Sequence, residues 1–199
     1  MKDNNLSRFQ FKFDYFNVTM YMSSYLYDLR SYKDIKPFRL FLHPSGKCND
    51  SCKYCTRSIN SKVETDFFSN RSYLDKLTRD IEELGIKDIH MPGSGEPFFY
   101  KDNMFYFLEK LRNVDTYTRI VTNGKNLNDS DIRNIVKDGL ISHLNITQST
   151  DSEEMACRVY QNKERHTRTI SLLGSILKYK KLYNRQFPRI DIMFVLTNL

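Results

Sequence analysis

The sequence has no run of apolar residues approaching the ~20 that a membrane helix needs, so no membrane partner is expected. Its first ten residues, Met1 to Gln10, are polar and charged and carry no secretory signal. It shows no internal repeat and no low-complexity tract. Cysteine is scarce: four in 199 residues, three of them crowded together. That is not the spread of a secreted disulfide framework, and it points to a reducing cytoplasm. Acidic residues are outnumbered, 24 against 31 basic, for a net charge of +7. A basic surface can attract nucleic acid or other anions. Here the basic residues are scattered. The densest group, Lys178, Lys180, Lys181 and Arg185, is interleaved with Tyr179, Leu182 and Tyr183, as on an amphipathic surface helix. The charge therefore reads as a solvated surface. With 40% hydrophobic and 28% charged residues, the chain reads as globular, one domain or one domain with an arm.

What stands out is Cys48-Asn49-Asp50-Ser51-Cys52-Lys53-Tyr54-Cys55. Three thiols in eight residues would arise by chance somewhere in such a chain with a probability of roughly 10⁻³, so the cluster calls for a chemical reason. Soft ligands this close suit a metal or an iron–sulfur cluster. A structural zinc ion wants a fourth protein ligand, for which His43 is the better candidate and Cys157 the poorer. A [4Fe–4S] cluster on three cysteines leaves one iron open.

Residues 1–36 form an aromatic-rich arm, with a short strand suggested by alternating Phe9, Phe11 and Phe13 and a helix over Met20–Arg30. From residue 37 to 199 a strand–helix rhythm begins. Strands are expected at 38–42, 86–91, 117–122, 141–147 and 189–196. Helices are expected at 72–84, 103–112, 128–138 and 167–183. Ser72 with Asp75 resembles a capping box, and Gly85 and Gly139 are natural stops. Residues 148–165 read as a long polar connection. In the last helix Ile170, Leu173, Ile176 and Leu177 are expected to face inward. Such alternation means βαβ units, a parallel sheet and an α/β partial (βα) barrel. Chemistry in such barrels sits at the C-terminal ends of the strands. The unusual loops follow the strands: the cysteines after the first, Gly93-Ser94-Gly95-Glu96-Pro97 after the second, Thr122-Asn123-Gly124 after the third.

This combination resembles the radical S-adenosylmethionine (radical SAM) enzymes over residues 38 to about 196. The C-x3-C-x2-C motif after the first barrel strand, with aromatic Tyr54 before the last cysteine, carries the resemblance. It implies that Cys48, Cys52 and Cys55 bind a [4Fe–4S] cluster and that S-adenosylmethionine (SAM) chelates its open iron. The segment Gly93-Ser94-Gly95-Glu96 resembles the family's Gly-Gly-Glu-Pro motif, with Ser94 in place of a glycine or one residue inserted before Gly95. Its glycines would let backbone approach the ligand, and Glu96 would meet the methionine ammonium. Asn123 is placed near the cofactor by the same resemblance. Thr147 and Ser149, on one face with Asn145, fall where the family contacts the SAM ribose.

The implied partners are a reductant such as a flavodoxin or ferredoxin and a substrate that is a peptide, a small metabolite or RNA, with a peptide or small molecule favoured over nucleic acid. Arg165 or Arg168 could meet a carboxylate, with a solvated side chain the favoured reading of both; His90 and His143 read as packed or solvated, and Cys157 as a bystander. No general acid or base stands out. Barrels of this type usually have six units, and only five strands are visible, so a fragment is expected. Ile190, Ile192, Phe194 and Leu196 are expected to line the barrel. The reading from another class is a non-catalytic zinc or iron–sulfur scaffold.

Overall fold

Five parallel strands in the order β1-β2-β3-β4-β5 form the sheet of the computed structural model, which describes residues 36–55 and 66–195. The strands are β1 (Arg39–Phe41), β2 (Asp88–Met91), β3 (Tyr117–Thr122), β4 (His143–Thr147) and β5 (Arg189–Met193). Between them lie α1 (Arg71–Leu84), α2 (Lys101–Leu111), α3 (Asp129–Asp138), α4 (Glu153–Tyr160) and α5 (Arg165–Leu182). Sequential order with every pair parallel is the α/β partial barrel expected from the strand–helix rhythm. The expected aromatic arm lies, but for Lys36, outside the described residues.

Alternation along each strand divides the sheet into two faces. Ile89 and Met91, Ile120, Leu144 and Ile146 pack with helical Leu74, Ile81, Phe107, Leu108, Ile135 and Ile176 into one core. The other face carries Asp88, His90, Arg119, His143, Asn145 and Asp191, aligned through the register of β2 to β5. Ile190 pairs with Leu144 and Ile192 with Ile146, so both belong to the helix side of β5. They do not line the barrel as expected. Ile190 packs partly on the core, Ile192 is exposed, and Phe194 lies beyond the strand, also exposed. Leu196 is outside the described residues.

Two helices depart from expectation. The expected polar connection contains α4, started by Ser152, whose side chain accepts from Met155 N. Short amphipathic helices flanked by polar loops give too little apolar signal to stand out. On α5 the buried residues are Arg165, Thr169, Leu172, Ile176 and Tyr179, while Ile170 and Leu177 are exposed. Two polar residues on the buried stripe turned the apolar count the wrong way. Leu172 packs so closely on Gly124 (φ +71°) that a Cβ there would lie 2.5 Å from its Cδ2.

The cap of α1 is Asn70, whose side chain accepts from Ser72 N at 3.0 Å. The Ser72–Asp75 box does not form, because Asp75 instead accepts from Tyr106 at 2.7 Å and pairs with Lys110 at 2.9 Å on α2. Gly85 ends α1 in the left-handed conformation, as expected. The reciprocal box belongs to α3, between Asn128 and Asp131. Asn70→Ala should therefore cost about 1 kcal/mol in urea denaturation. Ser72→Ala should stay within about 0.5 kcal/mol. Equal losses would contradict this assignment.

Candidate functional site

The cysteine segment leaves β1 and lies across the C-terminal ends of β2 to β4. Its preceding residues, Ser45 to Lys47, meet the loop after β2 at close quarters. Glu96 N donates to Lys47 O at 2.8 Å, and a Cβ on Gly95 would lie 2.4 Å from Ser45 O and 2.5 Å from Lys47 O. Glycine is required here for close passage of this chain against itself, whereas the sequence suggested approach to a ligand. Gly93 has φ +78°, a left-handed turn that any side chain would strain. Gly93 and Ser94 face solvent.

Glu96 is buried and fully engaged. Its Oε1 accepts from Thr122 Oγ1 at 2.5 Å and Phe98 N at 3.1 Å, and its Oε2 accepts from Asn123 N at 2.8 Å. Burial raises the Glu96 carboxyl above its ordinary value, opposed by these donors and by Arg165. The carboxylate thus ties the β2 loop to the end of β3. Asn123 carries the tie onward. Its Nδ2 donates to Asn49 Oδ1 at 2.8 Å and lies 3.7 Å from Cys48 Sγ. Lys125 Nζ donates to Asn49 O at 2.6 Å, and Asn49 Nδ2 donates to Asn126 Oδ1 at 2.7 Å.

Beneath the loop lies Arg165. Read from sequence as solvated, it is 1% exposed. Its Nη1 donates to Asn123 O and its Nη2 to Thr147 O, joining β3 and β4. Its Nε stands 3.3 Å from Asp50 Oδ2, and both side chains are 1% exposed. The contact is ionic rather than an aligned hydrogen bond. Lys125 Nζ approaches the other Asp50 oxygen at 3.7 Å. The guanidinium also lies 5.2 Å over the Tyr160 ring. Asp50 sits between the first two cysteines, so one arginine fixes the loop to two strand ends. Arg168 is half-buried and donates to Lys125 O at 3.1 Å.

The helix α4 covers the far side. Ala156, Val159 and Tyr160 form a small apolar cluster on which Cys52 and Tyr54 pack, and Lys53 N donates to Val159 O at 3.0 Å. Tyr54 OH accepts from Ser149 Oγ at 3.3 Å, and its ring meets Tyr160 edge-on with centroids 6.2 Å apart. Burial pushes the Tyr54 hydroxyl up from its ordinary value. Ser149 Oγ accepts in turn from Val195 N at 3.0 Å. Ser149 thereby joins Tyr54 to the segment that follows β5.

Cys48, Cys52 and Cys55 are all half-buried free thiols. Burial, then Asp50 and the other two thiols, push the Cys52 thiol up to about 12. Three thiolates side by side repel, and a cationic iron–sulfur cluster is what would hold all three deprotonated. Among the described residues no group of three His, Cys, Asp or Glu side chains converges tightly enough for a single metal ion. Neither His43 nor exposed Cys157 joins the thiols in such a set. The donor set among the described residues is all sulfur, three thiols on one loop.

Sequence reasoning assembled the cysteines, Tyr54, Gly93–Glu96, Asn123, Thr147 and Ser149 around one rim. It missed Asp50, Asn49, Lys125, Arg165 and Tyr160. An Asp inside the cysteine motif and an Arg at a helix start were the available signals.

The family model of the radical SAM superfamily matches residues 42–198. A probable GTP 3′,8-cyclase of Methanothermobacter marburgensis is 28% identical over 107 residues, 53% of this chain and 33% of the relative. The chain thus spans a third of that relative's length in the matched region. Among solved structures, SuiB of Streptococcus suis superposes with a TM-score of 0.63 at 19% identity, covering 92% of this chain and 39% of that one. SuiB has been solved with its precursor peptide SuiA and with S-adenosylmethionine. The protein anSMEcpe, with AdoMet and a peptide bound, gives a TM-score of 0.58 at 15% identity, covering 79% of this chain and 43% of that one. These likenesses are of fold.

Arg165→Gln should lower stability by about 3–5 kcal/mol, since it leaves a buried carboxylate without its main partner. Adding Asp50→Asn should restore part of that loss, with a coupling of about 0.5–3 kcal/mol in a double-mutant cycle read by denaturation. Strict additivity would show that the pair carries no coupling. Gly95→Ala should weaken the fold at the β2 loop by more than ~1 kcal/mol, because backbone atoms of Ser45–Lys47 must move.

Proposed function

The chain belongs to the radical SAM superfamily, and from that membership we propose that it is an enzyme that binds a [4Fe–4S] cluster and SAM and cleaves SAM reductively. A cluster held by these thiols would supply the electron for reductive cleavage of a carbon–sulfur bond of the sulfonium to methionine and a 5′-deoxyadenosyl radical, which would take a hydrogen atom from the substrate. Cys48, Cys52 and Cys55 would be the cluster ligands. The observation that carries this reading is the three-thiol loop held by Asp50, Arg165 and Asn123 against the loop after β2.

The residues present do four things toward that end. Arg165 and Lys125 hold Asp50, and with it the backbone between the first two cysteines, in one position. Glu96 holds the loop after β2 at the rim, where backbone carbonyls of the exposed Gly93–Ser94 turn would meet the methionine ammonium. Asn123, Thr147 and Ser149 bring polar groups to the ends of β3 and β4, where the rest of SAM would lie. Tyr54 and α4 shield the thiols from water on one side, which protects radical chemistry from side reactions. The cofactor supplies the reactivity and the protein the positioning.

A single-electron reductant of the flavodoxin or ferredoxin kind would supply the electron, in a reducing cytoplasm that keeps the thiols free. The substrate would be a peptide, a small metabolite or RNA, with the first two favoured. Support for a peptide comes from fold neighbours solved with peptides, and support for a small metabolite from the cyclase relative.

Anaerobic reconstitution should load about four irons per chain. Dithionite and SAM should then yield 5′-deoxyadenosine, and Cys52→Ala should abolish both. One zinc per chain with no cleavage would overturn the reading.

A further inference from the structure

Every polar group of Asn123 is engaged at the C-terminal end of β3. Its backbone N–H donates to Glu96 Oε2 at 2.8 Å, and its carbonyl accepts from Arg165. Its side-chain Oδ1 accepts from Lys125 N at 2.8 Å. Nδ2 carries two protons. It donates to Asn49 Oδ1 at 2.8 Å and to Cys48 Sγ at 3.7 Å. The Lys125 N–H requires an acceptor, so it fixes which end of the amide is oxygen and leaves the nitrogen facing the thiol.

Asn49 directly follows Cys48, so one amide nitrogen reaches the first thiol and the residue after it together. Lys125 holds that residue from the other side through Nζ to Asn49 O at 2.6 Å. Cys52, by contrast, packs on the apolar cluster of α4. Holding Asn49 in place needs only one of the two protons on Asn123 Nδ2. A second tie does the same task differently: Asn49 Nδ2 donates to Asn126 Oδ1 at 2.7 Å, and Asn126 Nδ2 donates to Phe98 O at 2.9 Å. Asn126 therefore holds the same residue as Asn123, with its own amide nitrogen turned to a carbonyl. Asn123 is 8% exposed, and a hydrogen bond shielded from water is electrostatically stronger than one in solvent.

We propose that Asn123 sets the reduction potential of the bound cluster, by donating an N–H···S hydrogen bond to the Cys48 thiolate. Negative charge on the ligand sulfurs grows when a cluster gains an electron. A donor aimed at one of them stabilises the reduced form more than the oxidised form and raises the potential. Asn123 thus has two tasks, positioning the loop through Asn49 and easing reduction through Cys48. The cluster itself rests on the radical SAM reading, whereas the donor and its aim rest on the geometry of the β3 end.

The test is a redox titration followed by EPR on the anaerobically reconstituted full chain without SAM, comparing wild type with Asn123→Ala, Asn123→Asp and Asn126→Ala. At the potential that half-reduces the wild-type cluster, Asn123→Ala should lower the ratio of reduced to oxidised cluster roughly ten-fold, a shift of about 59 mV for one electron. Asn123→Asp keeps an acceptor for Lys125 N and turns an anion toward the sulfur, so it should lower the ratio further. Asn126→Ala removes the other tie to Asn49 and should change the ratio by less than about two-fold. Unchanged ratios in both Asn123 variants overturn the proposal. So does an equal fall in Asn126→Ala, which assigns the effect to loop order. Wild type gives a readout that needs no variant. With isotope at the asparagine side-chain nitrogens alone, pulsed EPR of the reduced cluster should show a coupled amide nitrogen, and its absence overturns the proposal. A wild type that loads no cluster sinks the radical SAM reading and this proposal with it. The ten-fold fall without SAM cleavage sinks the catalytic reading alone, and cleavage with unchanged ratios sinks this proposal alone.

Discussion

The buried contact between Arg165 and Asp50 is what the rim of this sheet depends on. Both side chains are 1% exposed, so neither charge is tolerable without the other. The guanidinium spends its remaining donors on the backbone carbonyls of Asn123 and Thr147 and on Thr169. The first residue of α5 thereby gathers the cysteine loop and the ends of β3 and β4 at one point. A neutral side chain could fill the space, but it could not satisfy a carboxylate and two carbonyls at once. Such an arrangement contributes uniqueness of position more than net stability, because desolvation offsets much of the Coulombic gain.

The other constraints extend from that point. Glu96 repeats the pattern on the neighbouring loop, a buried carboxylate satisfied by donors from the end of β3. Gly95 permits the passage of one loop against the other, with room for a hydrogen atom and nothing larger. Asn123 links the two systems, since its backbone N–H serves Glu96, its carbonyl serves Arg165 and its side chain serves Asn49. The three thiols sit within a frame of polar ties that hold the loop. Preorganisation of this kind lets binding energy go to the ligand rather than to ordering the loop.

The sheet has a division of labour that follows from alternation. One face is aliphatic and buries the helices. The other is charged, with Arg39, Asp88, Arg119, His143, Asp191 and Arg189 in contact. Charges at every second position of otherwise apolar strands were visible in Asp88-Ile89-His90-Met91 and Arg189-Ile190-Asp191-Ile192. They mark a polar interior, and they put Ile190 and Ile192 on the helix side.

Much of the architecture was legible in the residues. The strand–helix rhythm, the stops at Gly85 and Gly139 and the loop order around Cys48–Cys55 required only local periodicity and turn chemistry. The family followed from three thiols at one spacing in that setting. What sequence could not supply was the partner of any buried polar group. Whether Arg165 is solvated or buried depends on Asp50, Asn123 and Thr147, which are 115, 42 and 18 residues away along the chain. The inward face of α5 and the presence of α4 were decided in the same way, because the stripe that packs on α3 and over the cysteine loop includes Arg165, Thr169 and Tyr160 as well as aliphatic side chains. Sequence alone therefore determined the order of the five strands, the sheet class and the thiol set, each a matter of local pattern. Tertiary structure alone decided which charges are buried, which glycine is compelled and which face of the sheet is polar, because each of those depends on side chains meeting across the fold.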